Sequence, residues 1–471
     1  MNLIELSAIL ITLVAIFGYL NAKILKLPAT IGLMVLAMIF SVGLLVTGRF
    51  VPTVSDSVGT VLNEIDFNEA LMHGMLGFLL FAGALHVNLN DLREQKWIIA
   101  VLATVGVLMT TGIVGGLMWW ITGMLGLEVK FIYCLLFGSL IAPTDPIAVL
   151  AILKTLGVPK SLETKITGES LFNDGVGVVV FIAILGVAGL SAHGAKHEAP
   201  LAQPSNHETQ VVNDHEQGAS VSDHNNEDTL PEVDLPGVGM LFLKEAGGGA
   251  VFGLVLGCVG YLMMRSLDEY KTEIMITLAM VTGGYVLCMK LHISGPIAMV
   301  VAGLFIGNQG RALAMSETTR ANLDLFWELV DEILNAVLFV LIGIEILVVA
   351  FTDTYVWAGL IAIPVVLLAR FVSVGGAVQV IKVMRKKVFT NHAVKVMTWG
   401  GLRGGISVAL ALSLNQMLKA TGDTGAIQNG ELIVTMTYVV VVFSIVVQGL
   451  SVGPLLGRLG LSGQKRLQDE H

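Results

Sequence analysis

Ala142-Pro143-Thr144-Asp145-Pro146 stands in the middle of an apolar run that extends from residue 130 to residue 157. Each proline removes a backbone donor and its ring clashes with the preceding turn, so a helix cannot pass through this stretch intact. A second run, 391–418, is interrupted by Gly400-Gly401-Leu402-Arg403-Gly404-Gly405, where paired glycines permit non-helical backbone. Such backbone is tolerated at membrane depth only where protein buries it or it lines a wet cavity. Two breaks predict two crossing half-helix pairs, with Asp145 offsetting the positive helix ends and Arg403 the negative ones. The prolines also leave carbonyls near Ser139 and Ala142 in need of donors.

The rest of the chain has the composition of an all-α polytopic membrane protein. Of its 471 residues 55% are hydrophobic and 13% charged, and the mean hydropathy is +0.80. Thirteen transmembrane helices are expected, at 2–20, 27–48, 69–89, 97–124, 130–157, 162–190, 238–264, 271–289, 293–309, 322–350, 355–381, 391–418 and 429–456. The N-terminus lacks the basic region of a cleaved signal peptide, so 2–20 reads as the first span. Loops after odd-numbered spans hold most of the Lys and Arg, including Lys382, Arg385, Lys386, Lys387 and Lys395. The other side receives Arg49, Lys130, Lys196, Lys244, Lys290 and Lys419. Positive charge is retained in the cytoplasm, which puts the N-terminus outside and the C-terminus inside.

The interrupted spans are the fifth and the twelfth. An odd offset turns the second copy upside down, the signature of an inverted repeat with its site at the midplane. The expected organisation is a first six-helix repeat over 1–190, an extracytoplasmic loop over 191–236, a linking span with the start of the second repeat over 237–290, the rest of that repeat over 291–456, and a short cytoplasmic tail over 457–471. The loop is rich in His and acidic residues and nearly free of aromatics, so it cannot bury enough surface to fold alone. Much of the acid behind the net charge of -9 sits there, and the charge is no nucleic-acid footprint. Cys134, Cys258 and Cys288 all lie in apolar segments and read as small buried hydrophobes.

Counting about 1.5 Å of rise per residue from the cytoplasmic ends puts Asp145, Asp174, Arg370 and Arg403 roughly 16 to 19 Å deep. Four ionisable groups at one level near the bilayer centre are costly, and they mark a path for ions or protons. Ser170 and Asp174 share one face of the sixth span, and Glu169 and Asn173 the adjoining one. A carboxylate, a hydroxyl and unwound carbonyls suit a hard monovalent cation, by analogy with calcium and magnesium sites. A carboxylate that takes either a proton or a cation is sufficient for exchange. Arg370 cannot stay unpaired at that depth, and Glu169 is its expected partner. Glu328, Asp331 and Glu332 read as a solvated helix start, or else as an acidic funnel, and His86 as a packing or interfacial residue. A proton-uncoupled channel or sensor is the alternative reading. An intramembrane aspartyl protease is excluded by the lack of Gly-x-Gly-Asp.

At these residues the chain resembles the monovalent cation/proton antiporter superfamily, in the NhaP-like bacterial branch related to animal sodium/proton exchangers. The resemblance rests on Ala142 to Pro146, on Gly168-Glu169-Ser170-Leu171-Phe172-Asn173-Asp174-Gly175, on Gly400 to Gly405 and, more loosely, on Phe326 to Gly343. It implies that Asp174 is the carrier of proton and cation, with Asp145 its companion. Ser170 and the Thr144 backbone would complete the shell of the transported Na+. Glu169 would pair with Arg370 and hold Asn173, whose presence in place of a second aspartate marks the electroneutral branch. The resemblance further implies exchange of Na+, Li+ or K+ for H+ in pH homeostasis, without a cofactor, by a homodimer in a bacterial inner membrane. Spans 4–6 and 11–13 would form a core that moves like an elevator. One departure is Ala82, where relatives often carry an acid.

Overall fold

A computed structural model describes residues 3–50, 74–156, 158, 160–190, 243–345, 352–385 and 392–460. The loop over 191–236 and the end of the tail, 461–471, lie outside these residues. The described chain is helical throughout. In order come α1 (Leu3–Leu20), α2 (Ala29–Phe50), α3 (Leu76–Leu85), α4 (Leu89–Met124), α5 (Phe131–Ile141), α6 (Ile147–Leu156), α7 (Lys160–Val187) and α8 (Gly248–Arg265). Then follow α9 (Tyr270–Leu291), α10 (Gly295–Phe305), α11 (Glu317–Glu345), α12 (Asp353–Arg385), α13 (Ala393–Trp399), α14 (Gly405–Ala420), α15 (Thr424–Phe443) and α16 (Gly449–Arg458). Among the described residues, seven segments are individually long and apolar enough to cross a membrane, including Arg93–Met124, Ser161–Val187, Asp353–Lys382 and Thr424–Arg458.

Helix ends and apolar ends do not coincide. The fourth span is expected from residue 97, where apolar residues begin, yet α4 starts at Leu89. Arg93, Glu94, Gln95 and Lys96 are polar but good helix formers, so the helix runs on past the apolar boundary. For the same reason α11 starts at Glu317 rather than at 322, a shift that matters at the site.

The helices sort into two packed groups. In one, α4 lies against α5, α7 and α12, while α14 and α15 pack on each other and α15 on α12. In the other, α2 and α3 pack on α11 and α10, which in turn meet α8 and α9. Close backbone approaches between the groups are few, chiefly α11 with α14 and α7 with α3 and α10, while Tyr438 of α15 donates its hydroxyl to Ile342 O of α11 at 2.8 Å. A buried apolar cluster that includes Phe137, Leu140, Val366, Leu410 and Val441, all nearly inaccessible, holds the first group together and runs on into α2 and α11. In the second, Phe81 and Trp327 stack at 4.8 Å within a cluster that includes Met280 and Met299. Asn308 ties the exit of α10 to the turn after α3, since its Nδ2 donates to Val87 O at 2.9 Å and its Oδ1 accepts from Leu89 N at 2.8 Å. The rim residues His86 to Asn88 are thereby fixed.

α5 stops at Ile141 and α6 resumes at Ile147; α13 stops at Trp399 and α14 resumes at Gly405. The two gaps meet. Asp145 N donates to Leu402 O at 2.8 Å, the one isolated bridge among the described residues. The glycines serve differently from the sequence expectation. None of Gly400, Gly401, Gly404 and Gly405 has positive φ, so they do not supply forbidden backbone. They supply room: a Cβ on Gly404 would stand 2.6 Å from Asp145 Oδ2, and one on Gly401 would stand 2.7 Å from Arg370 Nε.

Candidate functional site

The site is built where the gaps cross. Arg403, 2% exposed, donates from Nη1 to Ala142 O at 2.6 Å and to Pro143 O at 2.9 Å. These are carbonyls at the C-terminal end of α5, and the guanidinium meets both their lone pairs and the negative end of the helix dipole. Arg403 N in turn donates to Ser444 Oγ at 2.9 Å, which fixes the segment that carries it. Gln448 Nε2 donates to Trp399 O at 2.9 Å and closes the end of α13. Asp145 lies against Gly404 at the start of α14, the positive end of that half-helix.

Behind the crossing, Arg370 of α12 and Glu169 of α7 form a two-pronged ion pair. Arg370 Nη2 reaches Glu169 Oε2 at 2.9 Å and Nη1 engages Oε1, with the residues 5% and 1% exposed. Nη2 also donates to Met397 O at 3.4 Å. Both carboxylate oxygens face the guanidinium, so the pair leaves no net charge there.

One turn further along α7, Asn173 departs from expectation. Its amide is held by Thr144 and not by Glu169: Asn173 Nδ2 donates to Thr144 Oγ1 at 2.8 Å, and Thr144 N donates to Asn173 Oδ1 at 3.3 Å. Glu169 has its oxygens committed to Arg370, and the unwound Thr144 offers both a donor and an acceptor. Ser170 Oγ donates to Thr144 O. Thr144 is therefore gripped at its N, its O and its hydroxyl, and the break in α5–α6 is positioned by α7.

Asp145, Asp174, Ser170 and Thr144 all line one cavity of about 440 Å³. It extends from the crossing to the helix ends at His86–Asn88 and Glu163–Thr164. Its wall carries Asp145, Glu163, Asp174 and Asp331, with no Lys or Arg among the described lining residues. Asp145 and Asp174 stand on the same wall.

Several polar lining residues, Glu163 and Thr167 among them, were not singled out as ligands by the sequence. Asp331 and Asn335 of α11 stand on the cavity wall, as does Ser407 in the first turn of α14. Asp331 is no helix start: it sits fourteen residues, roughly 21 Å of rise, into α11. Its i, i+4 spacing to Asn335 was the available signal. His86 also lines the cavity, with Nδ1 3.9 Å from Asp324. Ala82 is fully buried and off the cavity wall, so the departure at that position removes nothing from the lining.

Comparison with known proteins agrees with this architecture. The sequence profile of the family "Sodium/hydrogen exchanger, transmembrane" matches residues 9–458. The chain is 45% identical over 462 residues to the Na(+)/H(+) antiporter NhaP of Pseudomonas aeruginosa, covering 97% of each. It is 31% identical over 467 residues to the Na(+)/H(+) antiporter NhaH of Halobacillus dabanensis, covering 98% of each. The fold matches that of the sodium proton antiporter MjNhaP1 from Methanocaldococcus jannaschii with a TM-score of 0.67 at 19% identity, over 97% of this chain and 98% of that one. With a profile match over nearly its whole length, the chain belongs to the sodium/hydrogen exchanger family.

Proposed function

We propose that this chain is a secondary transporter that exchanges Na+ for H+ across the membrane, with Asp174 as the shared carrier and Asp145, Ser170 and Thr144 as the other ligands. The observation that carries the reading is the lysine- and arginine-free cavity wall on which Asp145 and Asp174 meet at the crossing. A cation there replaces the repulsion of two carboxylates by attraction to both. Protonation of Asp174 relieves the same repulsion, so proton and cation compete for one group and neither is bound for nothing. Glu169 is tied to Arg370 and Asn173 is neutral, so neither adds a second titrating load. The expected exchange is one cation for one proton.

The arrangement of basic residues supports an N-terminus outside and a C-terminus in the cytoplasm of a bacterial inner membrane. In that orientation the cavity, running to His86 and Glu163, faces the cytoplasm. Thirteen crossings in two inverted repeats, a homodimer, and movement of the group containing both broken helices against the other are the accompanying expectations. The small number of close backbone approaches between the groups supports such movement. No cofactor is required. Proton flux in proteoliposomes, challenged in turn with Na+, Li+ and K+, tests the reading: cation-dependent release of an imposed pH gradient is expected.

A further inference from the structure

The α11 wall of the cavity carries an oxygen pair that the exchange site does not use. Asp331 and Asn335 are four residues apart and share one face of α11. Asn335 is 2% exposed, and its Nδ2 donates to Asp331 O at 2.8 Å. Its Oδ1, directed away from that bond by the planar amide, is buried without a hydrogen-bond partner. A buried amide oxygen with no donor costs about 1 to 3 kcal/mol unless something polar or positive reaches it. Asp331 and Asn335 stand on the same cavity wall as Asp145. No Lys or Arg stands on the described wall to answer Asp331.

We propose that Asp331 and Asn335 form a second cation station, which a partly hydrated monovalent cation occupies on its way between the cavity mouth and Asp145 and Asp174. The inference rests on the reading of this cavity as the cation path. One carboxylate and one amide oxygen are a partial shell for a hard cation, with water supplying the remainder in a cavity of this size. A weak first station next to a stronger second one lets an ion enter and leave without full dehydration at either step. The same ion answers the Asp331 charge and, as the Asn335 amide turns toward it, the unpartnered Oδ1.

The test is the initial exchange rate of the full-length protein in proteoliposomes as a function of Na+ at fixed pH. Asp331→Asn and Asn335→Leu are expected to raise KM for Na+ roughly three- to tenfold, the size of one charge-assisted contact, with the rate at saturating Na+ within about twofold of wild type. Asn335→Asp, which adds a charged oxygen at the same place, is expected to lower KM. KM values indistinguishable from wild type in Asp331→Asn and Asn335→Asp would overturn the station, as would a fall in saturating rate with KM unchanged. If Asn335→Leu does not insert, the opposite shifts demanded of the two near-isosteric variants still decide the matter. Failure of the underlying reading looks different: wild-type protein would then show no cation-dependent proton flux at any concentration.

Discussion

Asp145 N and Leu402 O, 2.8 Å apart, join the two interrupted helices at the point where each has lost its own hydrogen bonds. The loss on one side is answered from the other. Arg403 fills the Ala142 carbonyl that Pro146 leaves open, together with Pro143 O in the break, and Asp145 sits at the opening turn of α14. Four half-helices are thus held in register by groups that also set the charge of the site.

Space at this junction is a testable requirement. Gly404→Ala would place a methyl group 2.6 Å from Asp145 Oδ2, a contact that real Cβ atoms do not make. The crossing must shift to admit it, at a cost of about 1 to 3 kcal/mol. A variant that inserts normally, melts lower by thermal scanning in detergent and exchanges far more slowly is expected; wild-type rates would show that the close approach is dispensable.

The buried pair behind the crossing gives a second expectation. Removing either Glu169 or Arg370 alone leaves an uncompensated buried charge and should destabilise by about 3 to 5 kcal/mol, whereas replacing both with apolar residues should recover much of that. Melting temperatures of the two single variants and the double variant decide it. A double variant no more stable than the worse single one would mean that the pair does not carry the energy assigned to it.

Much of this was legible in the sequence because its physics is local. Two prolines three residues apart stop a helix wherever it runs, and a guanidinium buried in the membrane must find a carboxylate, which Arg370 does in Glu169. Asn173 was not legible: its choice of Thr144 depends on where the unwound backbone goes, and a face count along α7 cannot reveal that. Asp331 was misplaced because hydropathy locates the membrane boundary, not the helix start, and α11 begins with polar helix formers. The glycines were recognised, but their reason was not: the close approaches at Gly401 and Gly404 exist only once α12 and the α5–α6 break are packed against them.

The loop between spans 6 and 7 is expected to be dispensable. Its composition cannot build a core, and its place in the order of spans keeps it from the midplane. Deleting about residues 195–232 should leave exchange intact in liposomes. Loss of exchange from a deletion that still inserts would assign the histidines of that loop a role.

Competition at one carboxylate fixes the sign of the pH dependence. At low pH protons occupy Asp174 and displace the cation, so exchange falls; raising Na+ should restore it and extend activity to lower pH. Repeating the pH profile at low and high Na+ checks this directly. A profile that ignores Na+ would mean that cation and proton do not share the group.

The most direct test of the central claim is proton flux driven by a Na+ gradient in proteoliposomes, for wild type and Asp174→Asn, with and without an imposed membrane potential. The amide keeps the shape of the carboxylate but can carry neither the proton nor the cation's charge. Wild-type flux that is cation-dependent and indifferent to the potential, together with no flux from an inserted and folded Asp174→Asn protein, is the predicted result. Exchange by Asp174→Asn near the wild-type rate would contradict the assignment of the carrier, and a wild-type rate that follows the potential would contradict one-for-one exchange.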